Sequence, residues 1–472
     1  MKVRLAGFNV DWEILKESGL SPESLTPETF SAAYARISRS PDEVSELRRQ
    51  ACADVAKARR SNEKIIFSMG HHSVAEHSVF NFDLMEVSRL LLEEVESLRL
   101  ASFTEKSQRY VTLQGDCTVP KEFSPEDREA YRLVVEDLNG FYRTACERLK
   151  PLFVDLPRAE ERAKEDARYI LPLGTQGQLG MTLNARNLEH LFRKLKRSPL
   201  REAQDLAEEL WKLVRTIAPS ILLFNDPSPF DKNLWERLEN HLPKREEGIG
   251  LTEEFSLIGA TSGGDELILS LLAVSRRGVP VKHLIGWATS LDGEEKREVY
   301  DDLFREMAFF DTPPREFEAV DLTFQAVVSA SNFAQLKRHR LATLLASSYD
   351  LSLGVTVPPS LVEVGLEGEF RGLIAKAEEL YERLAARYGE AGEYLLTNSH
   401  RRRVVVKMNL RELYHFVRLR SDSHAQWDIR ALSQRLEALA KRLFPLAASR
   451  LCGKDAFPSG PGERAGSPEG GA

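Results

Sequence analysis

Cysteine is scarce in this sequence, and the few cysteines are far apart. The four cysteines in 472 residues are Cys52, Cys117, Cys146 and Cys452, and no two of them form a C-x-x-C pair. Such spacing argues against a disulfide framework and against a structural zinc site. We therefore predict no metal and interpret the cysteines as small buried or incidental thiols.

Long apolar runs and an excess of positive charge are also missing. The longest apolar run, LILSLLAV at 267–274, has eight residues, whereas a membrane span needs about 20. The opening MKVRLAGFNVDW is typical of a short strand and lacks the apolar region of a secretory signal. The net charge of −7 does not favour nucleic acid. These features predict a cytoplasmic protein that binds neither membrane nor nucleic acid.

The order of predicted elements starts over halfway along the chain. Strands at 80–85 and 178–184 accompany helical patterns at about 44–61 and 124–149. In the second half, strands at 255–261, 319–324 and 403–409 accompany helices at about 264–276, 292–308 and 369–388. This order indicates an α+β (mixed α/β) fold rather than a regular β-α-β series.

Composition gives the expected boundaries. We predict a first copy at 1–230, a linker punctuated by proline and glycine at 231–250, and a second copy at 251–452. The residues at 453–472 are rich in glycine, proline and serine, and we expect them to be disordered.

Two pairs of segments match between the halves. LRLAS at 98–102 corresponds to HRLAT at 339–343, and MTLNARNLEHLFRKLK at 181–196 corresponds to VKMNLRELYHFVRLR at 406–420. The second pair aligns Asn184 with Asn409, Arg186 with Arg411 and His190 with His415. Such internal repetition predicts a duplicated fold.

The first matched region carries a divided motif. KRHRLATLLASSYD at 337–350 has Arg-His-Arg, seven residues and a serine, but Asp350 and Leu351 follow. SLRLASFTEKSQRYV at 97–111 lacks Arg-His but ends in Ser-x-Arg-Tyr. Together the segments resemble the signature of the flavin-dependent thymidylate synthases, Arg-His-Arg, seven residues, Ser-x-Arg-Tyr. The resemblance implies two tandem copies of that fold, each a small sheet with long flanking helices.

Other segments are similar to this family and are divided in the same way. GHHSVAEHSVFNF at 70–82 and DARYILP at 166–172 match in the first copy, and RLRSDSHAQWDIR at 418–430 matches in the second. The first copy thus keeps mostly the nucleotide side of the family's site, and the second mostly the flavin side. We therefore expect one composite site formed by both copies.

The resemblance implies the following roles. Arg338, His339 and Arg340 are the candidate catalytic residues, and they are also expected to bind FAD together with His71, Glu76, Asn409, Arg411, His415 and His424. The residues expected to bind dUMP are Glu105, Ser107, Arg109, Tyr110, Arg168, Gln335 and Arg420. The implied reaction converts dUMP to dTMP, with FAD as cofactor, NADPH as reductant and methylenetetrahydrofolate as carbon donor. The family's tetramers imply a homodimer that forms a pseudo-tetramer.

Less specific interpretations remain open. Taken alone, KRHR is typical of a solvated helix face, and HRRR at 400–403 is typical of a solvated strand end. His71 can be interpreted as a structural histidine. Arg89 is expected to pair with Glu93 or Glu94 along a helix. Because Glu94 occupies the first-copy position of Gln335, a shifted substrate or carbon donor is an alternative. A non-catalytic paralogue that binds FAD or a pyrimidine nucleotide is the other alternative.

Overall fold

A computed structural model describes residues 1–18, 25–113, 115–243 and 253–458. Parts of two predictions, the linker at 244–250 and the disordered tail at 459–472, lie outside the described residues. Within the described ranges, no helix is long and apolar enough to cross a membrane.

The strands in the described residues form two antiparallel sheets of four strands each. The strands are β1 (Lys2–Phe8), β2 (Val79–Ser88), β3 (Ala101–Glu105), β4 (Gln176–Asn184), β5 (Phe255–Ala260), β6 (Asp321–Ser329), β7 (Thr343–Ala346) and β8 (Arg401–Asn409). The first sheet has the order β1-β2-β4-β3, and the second has the order β5-β6-β8-β7. The two sheets therefore repeat one topology, and the predicted α+β class is confirmed.

The central strands have one buried face because side chains alternate along a strand. In β2 the buried face carries Phe80, Phe82 and Leu84, and in β6 it carries Leu322 and Phe324. The sequence pattern did not predict β3 and β7. Each is a short strand with a single neighbour in its sheet, and β7 has no buried residue, so neither shows a clear alternation.

The helices are named in chain order. The helices of the first half are α1 (Trp12–Ser18), α2 (Glu28–Tyr34), α3 (Val44–Ala53), α4 (Val55–Asn62), α5 (Arg89–Val95), α6 (Pro125–Leu149), α7 (Ala159–Ala167), α8 (Ala185–Arg197), α9 (Arg201–Val214) and α10 (Pro229–Glu239). Those of the second half are α11 (Gly264–Arg277), α12 (Val281–Ser290), α13 (Gly293–Leu303), α14 (Ala330–Leu336), α15 (Pro359–Glu363), α16 (Glu367–Tyr388), α17 (Leu410–Arg420) and α18 (Trp427–Leu443).

Helix boundaries follow local capping. The single helix predicted at about 44–61 is divided at Asp54, whose carboxylate accepts a hydrogen bond from the Lys57 backbone N–H at 2.8 Å. That cap starts α4 one residue after Asp54 and interrupts the longer helix. Ser124 caps α6 in the same way, with Pro125 at the first helical position.

The chain divides into two compact units whose limits differ from those of the sequence repeat. Unit 1 comprises residues 1–247 and 357–398, and unit 2 comprises residues 248–356 and 399–472. The segment 357–398 belongs to unit 1 because α16 packs on α6, where Phe370 lies 5.9 Å from Phe141 between ring centroids. The boundaries at 230 and 250 concern the repeat itself and stay a prediction.

Candidate functional site

The Arg-His-Arg segment directly follows α14 in unit 2. Ser329 caps this helix by accepting a hydrogen bond from the Asn332 backbone N–H, and the Ser329 hydroxyl donates to Asp428. Beyond the helix, Arg338 and Arg340 are exposed, whereas His339 between them is buried. The segment therefore presents two guanidinium groups outward and one imidazole inward.

His339 lies between an arginine and a carboxylate of α17. Its Nε2 accepts a hydrogen bond from Arg420 Nε at 3.1 Å, and its Nδ1 lies 3.3 Å from Glu412 Oε1. Burial, and after it the charges of Arg420, His415 and Arg338, lower the pKa of His339 well below its ordinary value. An imidazole whose Nε2 accepts a hydrogen bond is neutral, which agrees with that lowered pKa.

Gln335 carries a buried carbonyl oxygen without a donor. Gln426 Oε1 is an acceptor because the backbone N–H groups of Asp428 and Ile429 donate to it. Gln335 must therefore donate its Nε2 to Gln426 Oε1, at 3.2 Å. The opposite atom, Gln335 Oε1, has no hydrogen-bond partner within the described residues. A ligand N–H would satisfy it.

The predicted residues at the start of α17 have structural contacts. Asn409 caps the helix by accepting a hydrogen bond from the Glu412 backbone N–H at 2.8 Å. Arg411 donates to the Pro313 carbonyl and to Glu318 Oε1, each at 2.8 Å. The structure thus gives both residues a role in shaping unit 2.

The two predicted histidines of this region differ in their contacts. His415 is exposed, and its ring centroid lies 5.7 Å from that of His339. His424 is exposed and contacts Asp422 Oδ1 at 2.8 Å. Unit 2 therefore brings His339, His415, Arg420 and Gln335 into one cluster, since the backbone carbonyl of Gln335 also accepts a hydrogen bond from Arg420 Nη2.

Unit 1 contains the Ser-x-Arg-Tyr segment, which follows β3 and its last residue Glu105. The Ser107 hydroxyl accepts a hydrogen bond from the Arg109 backbone N–H at 3.2 Å, and the Arg109 Nε forms an ion pair with Glu165. Tyr110 is exposed and lies beside the Arg109 guanidinium. Ser107 therefore fixes the local turn that presents Arg109.

Arg168 is the buried member of a group of arginines in unit 1. Its Nε donates to the Glu165 carbonyl at 3.2 Å. Burial is the main cause that lowers the pKa of Arg168; the charge of Glu165 opposes this shift, and the charges of Arg89 and Arg109 add to it more weakly. The expected ion pair of Arg89 with Glu93 is present, at 3.6 Å. We call Arg89, Arg109 and Arg168 the arginine cluster.

Glu76 and His71 precede β2 in unit 1. Glu76 accepts from Arg186 Nη1 at 2.5 Å, and Asn184 caps α8. This arrangement is equivalent to Glu318, Arg411 and Asn409 in unit 2. Both predicted residues are accessible, Glu76 being half-buried and His71 exposed.

Sequence reasoning did not find Glu165, Glu412 and Gln426, which contact the predicted residues. The only signal for Glu412 was its position three residues after Asn409, which is typical of a local helix cap. In the part of the chain that the structure describes, no group of three or more side chains could hold a metal ion.

The repeated sheets and divided motifs define a duplicated α+β protein, and comparisons identify its class. A family model described as "Thymidylate synthase complementing protein" matches residues 22–220 and again 256–446. The chain belongs to this family, the flavin-dependent thymidylate synthases, as a tandem duplication. The predicted resemblance and the two-copy fold are thereby confirmed.

Relatives match the chain over one repeat or over both. The UPF0159 protein Ta1429 of Thermoplasma acidophilum is 25% identical over 473 residues, covering 88% of this chain and 93% of its own length. The flavin-dependent thymidylate synthase of Geobacter sulfurreducens is 32% identical over 210 residues, covering 43% of this chain and 83% of its own length.

Two solved structures have limited similarity to the chain. A Helicobacter pylori flavin-dependent thymidylate synthase complexed with FAD and dUMP is 17% identical, with a TM-score of 0.33, and the match covers 48% of this chain and all of that chain. A UMP/dUMP methylase from Streptomyces cacaoi is 20% identical, with a TM-score of 0.34, covering 41% of this chain and 92% of its own.

Proposed function

We propose that the chain is a flavin-dependent methyltransferase that converts dUMP to dTMP at a site requiring residues of both repeats. The observation that carries this proposal is the complementary division of the family motifs. Ser107, Arg109 and Tyr110 occur in the first repeat, whereas Arg338, His339 and Arg340 occur in the second. Independent decay of two copies would remove residues of both kinds from each copy.

The arginine cluster of unit 1 supports binding of the nucleotide phosphate. Arg168 is buried, and the charges of Arg89 and Arg109 reach it together with the opposing charge of Glu165. A cluster of arginines suits a phosphate, because guanidinium groups bind phosphate oxygens bidentately. In this proposal Arg109 and Ser107 hold the phosphate, with Glu105 and Tyr110 beside them and Arg168 behind them.

Unit 2 offers donors and an acceptor that fit the flavin and the base. Arg338 and Arg340 present exposed guanidinium groups, and Gln335 Oε1 awaits a donor such as a pyrimidine or flavin N–H. Arg338, His339, Arg340, His415 and His424 would hold FAD, with Asn409 and Arg411 shaping that surface. His71 and Glu76 of unit 1 are proposed to contribute to the same cofactor.

FAD supplies the hydride chemistry when bound, NADPH reduces it, and methylenetetrahydrofolate donates the carbon. The contribution of this chain is to position the nucleotide and to polarise its base, for which Gln335 and Arg420 are placed together. A homodimer would bring four repeats together as a pseudo-tetramer with two working sites.

One contact favours a second candidate, a protein that binds nucleotide or flavin without this turnover or acts on another pyrimidine. The Arg109 guanidinium is already paired with Glu165. An incoming phosphate must compete with that carboxylate, which weakens phosphate binding relative to an unpaired arginine.

Two measurements separate these functions. Purified protein is expected to show the visible absorbance of oxidised flavin, and dUMP tritiated at C5 is expected to release tritium when NADPH and methylenetetrahydrofolate are supplied. Bound flavin without release of tritium from dUMP would support the second candidate, a protein that binds without this turnover. Protein that neither contains nor takes up FAD would contradict both roles for the second repeat.

A further inference from the structure

Glu412 has an unusual environment for a residue in the first turn of a helix. A glutamate three residues after a cap such as Asn409 commonly reaches back to the capping residue's backbone N–H. The Glu412 side chain instead lies beside His339 with 4% of its surface exposed. Burial raises the pKa of Glu412, and the nearby charge of His415 acts in the opposite direction.

The contacts of His339 define which nitrogen carries its proton. Arg420 Nε can only donate, so His339 Nε2 must be the acceptor and the proton must be on Nδ1. Nδ1 has no hydrogen-bond partner within the described residues, and the distance of 3.3 Å to Glu412 Oε1 is long for a hydrogen bond. Glu412 Oε1 is nevertheless the carboxylate oxygen beside that nitrogen.

We infer that Glu412 is a positioning residue: its carboxyl group lies beside Nδ1 of His339, favours the proton on that nitrogen and thereby keeps the Nε2 lone pair directed at Arg420. Two of the contacts that hold the Arg420 guanidinium are Nε to His339 and Nη2 to the backbone carbonyl of Gln335 at 3.3 Å. Arg420, His339 and Glu412 thus form a row from guanidinium through neutral imidazole to carboxyl group.

The first repeat provides an internal comparison. Equivalent positions are fixed by the helix caps, because Ser88 caps α5 as Ser329 caps α14, and Asn184 caps α8 as Asn409 caps α17. Counting from these caps, the equivalents are Leu98 for His339, Leu195 for Arg420 and Asn187 for Glu412.

All three members of the row are therefore replaced together in the first repeat. Asn187 donates to Asn184 Oδ1 at 3.0 Å and so has a local role in place of one at a histidine. The joint replacement has a physical reason. A buried carboxyl group beside a leucine in place of the imidazole would lose its polar neighbour, and burying a polar group without a partner costs stability.

The tautomer of His339 in ligand-free protein tests this inference by nitrogen-15 NMR, with the His339→Gln variant identifying the signal. We expect Nδ1 protonated and Nε2 unprotonated at neutral pH. Glu412→Gln keeps an acceptor and should keep this tautomer, whereas Glu412→Leu should populate protonated Nε2. Protonated Nε2 in the wild-type protein, or an unchanged tautomer in a folded Glu412→Leu variant, would overturn the inference.

The consequence for catalysis rests on the proposed function, whereas the tautomer does not. If Arg420 positions the nucleotide, Glu412→Leu should raise the KM for dUMP by about tenfold and Glu412→Gln by much less, as for other supporting hydrogen-bond partners. Asn187→Leu at the equivalent position of the first repeat is the matched control and should leave the KM unchanged. Equal effects of Glu412→Leu and Glu412→Gln would overturn the role of the acceptor.

Discussion

At the scale of single residues, the side-chain oxygen of Gln335 is buried and has no donor among the described residues, and a ligand N–H would satisfy it. A buried carbonyl oxygen without a donor destabilises a protein by about 1–3 kcal/mol. Gln335→Leu removes that oxygen, while Gln426 keeps both backbone donors at the start of α18. We expect the variant to have an equal or higher Tm than wild type and weaker binding of dUMP.

Thermal unfolding and dUMP titration of the same preparations would measure the change in Tm and the change in dUMP affinity together. A variant with lower Tm and unchanged dUMP affinity would mean that Gln335 serves only the packing of unit 2. His241→Ala, at an exposed position with no assigned role, is a suitable control for handling and expression.

Glu202 makes a prediction about pH. Its carboxylate accepts from the Ser88 backbone N–H at 2.9 Å and from the Tyr394 hydroxyl at 2.7 Å, and burial raises its pKa. A carboxyl with a raised folded-state pKa binds more protons folded than unfolded, so its contribution to stability falls as pH rises through that pKa. Each tenfold change in acidity corresponds to about 1.4 kcal/mol.

Glu202→Gln should therefore gain Tm relative to wild type as pH is raised from about 4.3, the usual glutamate pKa, towards neutrality. Thermal melts of both proteins at a series of pH values measure this difference. A Tm difference that is independent of pH, or that shrinks as pH rises, would contradict the raised pKa. Glu209→Gln, at an exposed position nearby in α9, is the control and should show no such trend.

At the scale of elements, α16 belongs to the second half of the sequence but packs in unit 1. Phe370 is fully buried there, and Arg387 and Tyr388 both donate to Asp127 of α6. Removing a buried phenylalanine costs about 3–5 kcal/mol. Phe370→Ala should therefore increase amide hydrogen exchange in α6 while β6 and β8 keep their protection.

Leu436→Ala is the matched variant, because Leu436 is fully buried in the core of unit 2. Leu436→Ala should increase amide hydrogen exchange in β6 and β8 and leave the exchange in α6 unchanged. Exchange that rises in β6 and β8 in the Phe370 variant would show that the repeat, rather than the compact unit, is the cooperative element.

The sequence predicted elements whose signals are local. Alternating apolar residues predicted β2 and β6, and Ser124 with Pro125 predicted the start of α6. It did not predict β3 and β7, because a short edge strand has only one neighbour and little buried surface. The assignment of α16 to unit 1 likewise depends on packing between residues far apart in the chain.

The candidate site was predictable to the same extent. Motif spacing identified Arg109 and His339, but the carboxylates that contact them, Glu165 and Glu412, come from other helices. Such partners are set by tertiary packing, which residue spacing does not encode. The equivalent caps Asn184 and Asn409 show that part of a shared motif maintains the fold rather than the chemistry.

At the scale of the whole molecule, we propose that the first repeat binds the nucleotide and the second repeat binds the flavin. Arg109 supplies a charge-assisted contact of the kind worth about 1.5–3 kcal/mol, so Arg109→Ala should weaken dUMP binding by roughly 10- to 100-fold. Arg338→Ala should instead lower the FAD content. The equivalent positions in the opposite repeats provide matched controls, Asp350→Ala for Arg109 and Ser97→Ala for Arg338.

The most direct measurement is turnover of dUMP by the four variants, together with bound FAD. The account predicts that Arg109→Ala and Arg338→Ala each abolish turnover, that Arg109→Ala keeps its FAD, and that both control variants remain active. Restored activity on mixing the two inactive variants would assign the paired loops to different chains. Full turnover by either Arg109→Ala or Arg338→Ala would contradict a site divided between the repeats.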